Sequence, residues 1–150
     1  MLLELAKRIV PGMVVRGKGR VLVTGSVVST APAPYQAVYG ATKAFVMSFA
    51  EALRVEVADS GVTITTLQPG ATDTSFFERA NMTDTKVGQA EKDDPALVAR
   101  RGFEAMMSGK DSVLGGAFKS RLQGLANEVL PETVKAKQVA KTSEPGSGKH

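Results

Sequence analysis

Residues 36–67 read QAVYGATKAFVMSFAEALRVEVADSGVTITTL, and this stretch decides the fold class. Its first part lacks proline, and apolar side chains recur four or seven residues apart from Val38 to Val57. That spacing predicts a long helix over 36–59. Ser60-Gly61 ends the helix, since glycine commonly follows a helix C-terminus. The alternating β-branched run at 62–67 then predicts a strand.

A second apolar run, Arg20-Val-Leu-Val-Thr24, predicts a buried strand ahead of the helix. The segment 29–34 between them carries two prolines, which break a helix, and is predicted as a loop. Strand, helix and strand in this order form a right-handed crossover with parallel strands. We therefore expect an α/β chain with a partial Rossmann-like, doubly wound fold, whose chemistry lies at the carboxyl ends of the strands.

The flanking segments add further elements. Apolar spacing predicts an amphipathic helix over 2–15, in which Pro11 can introduce a kink. Asp94 as N-cap and Pro95 at the first helical position predict a helix to about residue 107. Weaker patterns predict a short helix at 74–80, a mobile polar loop at 81–93, a strand at 112–114, and helices at 118–129 and 131–140. We assign 1–141 to one domain and 142–150 to a disordered tail.

Composition excludes several functional classes. The 150 residues carry a net charge of +4, which is too small and too dispersed to indicate a nucleic-acid partner. Much of that charge lies on lysines 135, 137, 141 and 149, a pattern typical of a solvated helix face. Cysteine is absent and the single histidine is the last residue, so neither a metal site nor a histidine-based triad is expected. Charged residues and Pro11 interrupt the apolar start, which argues against a signal peptide or a membrane span. We expect a cytoplasmic location.

Tyr39 and Lys43 are the candidate catalytic pair. On a helix, residues four apart lie one turn apart on the same face. An ammonium beside a phenol favours the phenolate, which suits proton transfer to a carbonyl or from an alcohol. A plain surface pair has the same spacing. However, Ser26 follows the first strand and Pro69-Gly70 follows the second, so three elements converge on one edge of the sheet.

These residues resemble the short-chain dehydrogenase/reductase family. The resemblance is strong over residues 1 to about 78 and loose beyond. It rests on motifs at agreeing spacings: Tyr39-x-x-x-Lys43 within Val-Tyr-Gly-Ala-Thr-Lys-Ala, Ser26 thirteen residues earlier, and Pro69-Gly70 followed by Thr74.

The resemblance implies a role for each residue. Ser26 would bind the substrate oxygen, Tyr39 would move the proton, and Lys43 would keep Tyr39 acidic and bind the nicotinamide ribose. The cofactor-binding set would comprise Tyr39, Lys43, Pro69, Gly70, Thr72 and Thr74. NADP or NAD would be the cofactor, and a small carbonyl compound or alcohol the substrate. Ser29 is instead interpreted as a loop hydroxyl that bonds to local backbone.

Two family features are missing. The glycine-rich nucleotide-binding turn has no match, because Thr24-Gly25-Ser26 lacks later glycines and is followed by prolines. The family's catalytic asparagine is also absent, since the first asparagine is Asn81. The chain therefore resembles a C-terminal half without the nucleotide-binding half. A truncated product, a mis-started reading frame and one part of a split protein all remain open.

Two other functions remain open. A non-catalytic fragment could act as a dimerisation or partner module, because the resemblance implies a homo-oligomer interface through helices 2–15 and 36–59. A sugar-nucleotide epimerase is disfavoured by the Pro69-Gly70 turn and the short tail. The loops that would select the substrate, 27–36 and 75–95, are not diagnostic. If the catalytic interpretation holds, the Tyr39 and Ser26 hydroxyls should lie within a few ångströms of each other, near the hydrogen-bonding reach of about 3 Å.

Overall fold

Three parallel strands form the sheet of the computed structural model, which describes residues 1–116 and 131–149. The strands are β1 (Gly19–Thr24), β2 (Val62–Gln68) and β3 (Ser112–Leu114), in the spatial order β1-β2-β3. β2 pairs with β1 along the full length of β1, from Gly19 opposite Val62 to Thr24 opposite Leu67. The carboxyl ends of β1 and β2 therefore lie side by side.

Helices connect and cover these strands. They are α1 (Leu2–Val15), α2 (Ala37–Glu56), α3 (Phe76–Arg79), α4 (Lys86–Gln89), α5 (Pro95–Met107) and α6 (Glu132–Ser143). Single 3-10 turns occur at Val27–Thr30, Ala58–Ser60 and Ser147–Lys149. The long helix, the strands on either side of it, the helix over 2–15 and the Asp94-capped helix agree with the sequence predictions. The helix predicted at 118–129 lies outside the described residues.

Helices pack on both faces of the sheet. On one face, α1 and α2 bury an apolar cluster with alternate residues of β1 and β2: Val10, Val23, Ala50, Val57, Val62 and Ile64. On the other face, α5 approaches so closely that a Cβ atom on Gly102 would lie 2.7 Å from Leu67 Cδ2 and 3.3 Å from Leu22 Cδ2. A parallel sheet covered by helices on both faces confirms the α/β, Rossmann-like fold class.

Glycines close the amino-terminal end of the sheet. Gly61 follows the turn after α2 and has a φ of 74°, in the left-handed region that glycine adopts without cost. A Cβ atom at this position would lie 2.1 Å from the Gly17 carbonyl oxygen, in the turn before β1. The two turns therefore pack back to back, and β2 can begin level with β1.

β1 forms one edge of the sheet, because β2 is its only strand partner among residues 1–116 and 131–149. Its side chains Val21 and Leu22 are half-buried, whereas Val23 is 7% exposed. No helix in the described part of the chain is long and apolar enough to cross a membrane.

The structure differs from the sequence prediction in the polar segment 81–93. This segment contains α4 and three buried side chains, Met82, Thr85 and Asp93. The Thr85 hydroxyl accepts a hydrogen bond from Gly88 N at 3.0 Å and so caps the short helix. The prediction of a mobile loop is wrong because it followed polarity and overlooked the threonine cap.

The segment 142–150, predicted as a disordered tail, contains regular structure in its described residues. α6 continues to Ser143, and the backbone after it binds a distant loop. Gly146 N donates to Asp84 Oδ2 at 2.8 Å, and Gly148 N donates to the Asp84 carbonyl oxygen at 2.9 Å. Local composition cannot reveal these contacts, because the donors are backbone amides and the acceptors lie about sixty residues away.

Candidate active site

Backbone hydrogen bonds extend the β1–β2 ladder beyond the strands. Gly25 N donates to the Leu67 carbonyl oxygen at 2.8 Å, and Val27 N donates to the Pro69 carbonyl oxygen at 3.0 Å. Ser26 lies between these two donors. These two bonds hold the candidate serine beside the Pro69-Gly70 turn, at the carboxyl edge of the sheet.

Ser26 is held by the 3-10 turn that it begins. Its Oγ atom accepts a hydrogen bond from Val28 N at 3.3 Å, and its own backbone N–H donates to Ser29 Oγ at 3.1 Å. These reciprocal bonds form a capping box, and they confirm the interpretation of Ser29 as a hydroxyl that bonds to local backbone. The Ser26 side chain is almost fully buried, at 7% exposure for the residue. Because its oxygen already accepts a bond, the remaining O–H group can donate to a ligand.

The Tyr39–Lys43 pair lies on the first turns of α2, at the same edge. Lys43 Nζ donates to the carbonyl oxygen of Thr24 at 3.1 Å, and Thr24 ends β1 two residues before Ser26. The same Nζ atom lies 5.8 Å from the centroid of the Tyr39 ring. An ammonium at that distance interacts favourably with the ring electrons. Lys43 thus connects the end of β1 with the aromatic residue one helical turn earlier.

Partial burial affects the protonation of Lys43. Loss of water around the ammonium lowers the pKa of Lys43 from its ordinary value of 10.5, because desolvation penalises the charged form. The ammonium of half-buried Lys43 is also less screened than a surface charge, and so acts more strongly on neighbouring groups.

Tyr39 is fixed through its ring. The ring packs against Phe76 with centroids 5.2 Å apart and planes inclined at 47°, and the side chain is half-buried. In the part of the chain that the structure describes, the Tyr39 hydroxyl makes no hydrogen bond to Ser26 or to Lys43. The expected approach of the Tyr39 and Ser26 hydroxyls therefore stays a prediction.

The loop after β2 carries the remaining candidate residues. Thr72 Oγ1 donates to the Gly70 carbonyl oxygen at 3.1 Å, and this bond stabilises the turn that Pro69 begins. Thr74 Oγ1 accepts from Phe76 N at 3.3 Å at the start of α3. The structure thus brings the loop back towards α2, where Phe76 meets Tyr39.

Sequence reasoning missed Phe76 as part of the site. It lines an open pocket of ≈ 430 Å³ together with Thr74, Ser75, Arg79 and Ala80. The available signal was the Phe76-Phe77 pair, the only adjacent aromatic residues in the chain. Phe77 is buried and its ring packs edge-on against Phe76, with centroids 5.2 Å apart. Phe77 thus anchors the loop, and Phe76 presents its ring to Tyr39.

Comparison with known proteins identifies relatives. A family model described as short chain dehydrogenase matches residues 2–85. The uncharacterized oxidoreductase YbbO of Escherichia coli is 31% identical over 99 residues, which span 65% of this chain and 35% of YbbO. The NADP-dependent 3-hydroxy acid dehydrogenase YdfG of Salmonella typhi is 33% identical over 107 residues, which span 70% of this chain and 43% of YdfG.

Solved structures share the fold of this chain. A short-chain dehydrogenase from Burkholderia cenocepacia in complex with NADP superposes with a TM-score of 0.68 at 22% identity, over 87% of this chain and 55% of the other. One from Sphingobium yanoikuyae in complex with NADPH gives a TM-score of 0.67 at 26% identity, over 87% and 53%. The chain spans between about a third and a little over half of these proteins. Because the family model covers more than half of this chain, the chain belongs to the short-chain dehydrogenase family of oxidoreductases.

Proposed function

We propose that this chain supplies the proton-transfer and substrate-binding part of an NAD(P)-dependent oxidoreductase that interconverts small carbonyl compounds and alcohols. The hydrogen bond from Lys43 Nζ to the Thr24 carbonyl oxygen carries the proposal. It joins the helix turn that bears Tyr39 to the end of the strand that leads into Ser26. Side chains suited to acid-base chemistry and to oxygen binding are thereby held at one edge of the sheet.

Ser26, Tyr39 and Lys43 would share the chemistry. The Ser26 hydroxyl would donate to the substrate oxygen and stabilise the negative charge that develops there. The Tyr39 hydroxyl would give its proton to that oxygen during reduction and take it back during oxidation. The Lys43 ammonium would favour the phenolate form of Tyr39 through its charge. The cofactor, when bound, supplies or accepts the hydride.

The residues fit one end of a nicotinamide dinucleotide. Lys43 has a single hydrogen-bond acceptor among the described residues, so its remaining N–H groups can hold ribose hydroxyls. Pro69, Gly70, Thr72 and Thr74 line the same edge and would hold the nicotinamide. Among residues 1–116 and 131–149, the pyrophosphate end has no comparable support, because only the four-residue 3-10 turn follows β1. A long helix whose N-terminus could bind phosphate does not begin there.

Cofactor titration and turnover test the proposal together. We expect weak binding of NADH and NADPH by the 150-residue chain, because much of the polar anchoring of a dinucleotide comes from the glycine-rich turn and its helix. Adding a polypeptide with the nucleotide-binding half of a short-chain dehydrogenase should tighten binding and produce carbonyl-dependent oxidation of NADPH. If neither sample turns over any of a panel of small ketones and aldehydes, the proposal fails.

A second candidate function is a dimerisation or partner module, favoured by the exposed apolar residues of α1 and α2. Leu5 is 54% exposed, Val15 87%, Val38 83% and Phe45 49%. Exposed apolar residues on neighbouring elements are typical of interaction surfaces. A homo-oligomer through α1 and α2 would cover them. Such a chain could associate without turning over any substrate, so self-association combined with complete inactivity would favour this function.

A further inference from the structure

The loop between Ser26 and Tyr39 is held from outside by the C-terminal segment. This loop, 27–36, contains two prolines and Tyr35, whose φ of 63° is uncommon for a residue other than glycine. Side chains of α6 and the residue after it contact the loop through three hydrogen bonds: Lys135 Nζ to the Thr30 carbonyl oxygen at 3.2 Å, Gln36 Nε2 to Ser143 Oγ at 2.9 Å, and Tyr35 OH to Glu144 Oε1 at 3.4 Å.

Lys135 is the buried member of this set. Its side chain is only 7% exposed, although the sequence pattern indicated a solvated lysine face. Glu132 Oε1 lies 2.9 Å from the ammonium and balances its charge, but the Glu132 side chain is 65% exposed. A buried ammonium requires hydrogen-bond acceptors as well as an opposite charge. The Thr30 carbonyl oxygen is the second acceptor among the described residues, so burial of Lys135 depends on the position of Thr30.

Thr30 ends the same 3-10 turn that orients Ser26. At the start of this turn, Val28 N donates to Ser26 Oγ at 3.3 Å, and Ser29 N donates to the Ser26 carbonyl oxygen at 3.1 Å. Lys135 holds the other end of the turn. A shift of Thr30 would therefore move the amide that holds the Ser26 hydroxyl.

The C-terminal segment also holds the second loop expected to select substrate. Its backbone binds Asp84 through Gly146 and Gly148, and Ser147 Oγ accepts from Lys86 N at 3.0 Å. The segment from α6 to residue 148 therefore connects loop 27–36 with the α4 region. Through this segment, two loops that are distant in sequence are fixed relative to each other.

The geometry points to Lys135 as a positioning residue that sets the orientation of the Ser26 hydroxyl through the turn Val27–Thr30. The contacts alone support the role of Lys135 in holding this turn. The expected effect of Lys135 on catalysis rests on the proposed function. Lys135 acts through a backbone carbonyl and touches no reacting atom. Replacing it should therefore alter the turn and the rate of the chemical step, and leave the rest of the fold and cofactor binding intact.

Amide hydrogen exchange on the full chain tests the placement. In Lys135→Met, the amides of Val28, Ser29 and Ala31 should exchange about tenfold faster, and those of β2 at the wild-type rate. Lys135→Arg keeps the charge and should retain most of the protection. Lys137→Met, which removes an exposed lysine of the same helix, is the matched control and should behave as wild type. Unchanged exchange at the turn, or equal acceleration throughout the chain, would overturn the inference.

Two further measurements separate a failure to fold from loss of the Lys135 contact, and an effect on the turn from an effect on catalysis. If Lys135→Met does not fold, Glu132→Gln weakens the same contact from its exposed side, and about threefold faster exchange at the same amides is expected. Wild-type exchange in a folded Glu132→Gln would then overturn the placement. Where wild-type turnover is measurable, Lys135→Met should lower kcat about tenfold and leave the KM for cofactor within about twofold. An unchanged kcat would overturn the effect on catalysis. Inactivity of the wild type, both alone and with the nucleotide-binding half added, would refute the proposed function and leave exchange to decide whether Lys135 holds the turn.

Discussion

Replacing Tyr39 by phenylalanine should abolish most of the turnover without affecting stability. The ring contacts with Phe76 and Lys43 involve atoms that phenylalanine retains. The hydroxyl makes no hydrogen bond within residues 1–116 and 131–149, so its removal should change the free energy of unfolding by less than about 0.5 kcal/mol. A positioned general acid typically contributes about 10²- to 10⁴-fold in rate. That range corresponds to roughly 3–5 kcal/mol in the activation barrier.

The assay combines steady-state oxidation of NADPH with urea unfolding, on the chain supplemented with the nucleotide-binding half. Tyr35→Phe is the matched control, because the chain has only two tyrosines and Tyr35 contacts Glu144 instead of the candidate site. It should keep turnover within about twofold of wild type, because the bond that it removes is exposed and the contacts of Lys135 and Ser143 still hold loop 27–36. A fall of less than about threefold in Tyr39→Phe would refute the assignment of Tyr39 as the proton donor, since loss of a general acid costs far more. A large fall matched by a loss of stability would instead indicate a structural role.

Three other predictions address pH dependence, association and packing. Because the folded pKa of Lys43 lies below 10.5, the unfolded chain binds more protons between the two values. The free energy of unfolding should therefore rise with pH across that window in wild type, and the rise should vanish in Lys43→Met in a urea series at several pH values. Sedimentation should show self-association of the wild type at tens of micromolar, and a monodisperse monomer would contradict this. Phe45→Glu should weaken the self-association, whereas Phe103→Glu, on α5 at the opposite face, should not. Gly61→Ala should cost about 1–3 kcal/mol in urea unfolding, because the new Cβ atom meets the Gly17 carbonyl oxygen. Gly109 has a similar φ, of 68°, but a Cβ atom there would meet only Thr63 Cγ2 at 3.9 Å, so Gly109→Ala should cost less; equal costs would show that the close contact is unimportant.

The periodicity of apolar residues predicted the central helix and strands because burial in each element follows the regular repeat of its own side chains. The apolar spacing from Val38 to Val57 and the alternation at 62–67 reflect burial against one face or another of the sheet. This pattern of burial is visible in the sequence itself. Ser60-Gly61 and Asp94-Pro95 mark helix ends through their own backbone preferences, so both boundaries agree with the structure to within a few residues.

Contacts between distant segments account for what the sequence could not show. Lys135 belongs to a group of lysines whose pattern predicts a solvated helix face. Its burial is explained by its bond to the carbonyl oxygen of Thr30, 105 residues away. Phe76 carries no pattern that links it to Tyr39. The candidate site divides in the same way. Spacing along the sequence indicated which residues lie at the carboxyl edge, whereas the bond from Lys43 to Thr24 and the capping box around Ser26 are seen only in the structure.

The backbone ladder that continues past β1 and β2 has a consequence for engineering. Gly25 and Val27 are anchored by main-chain atoms, so the backbone position of Ser26 rests on main-chain hydrogen bonds on both sides, and the Ser29 hydroxyl adds one more bond. Neighbouring positions can therefore be randomised to seek new substrate preferences while the serine keeps its place. The exceptions are Ser29, whose hydroxyl accepts from Ser26 N, and Gly25, where a Cβ atom would lie 2.7 Å from Met47 Sδ. A library that fixes Gly25, Ser26 and Ser29 and varies the loop beyond them would retain the scaffold of the site.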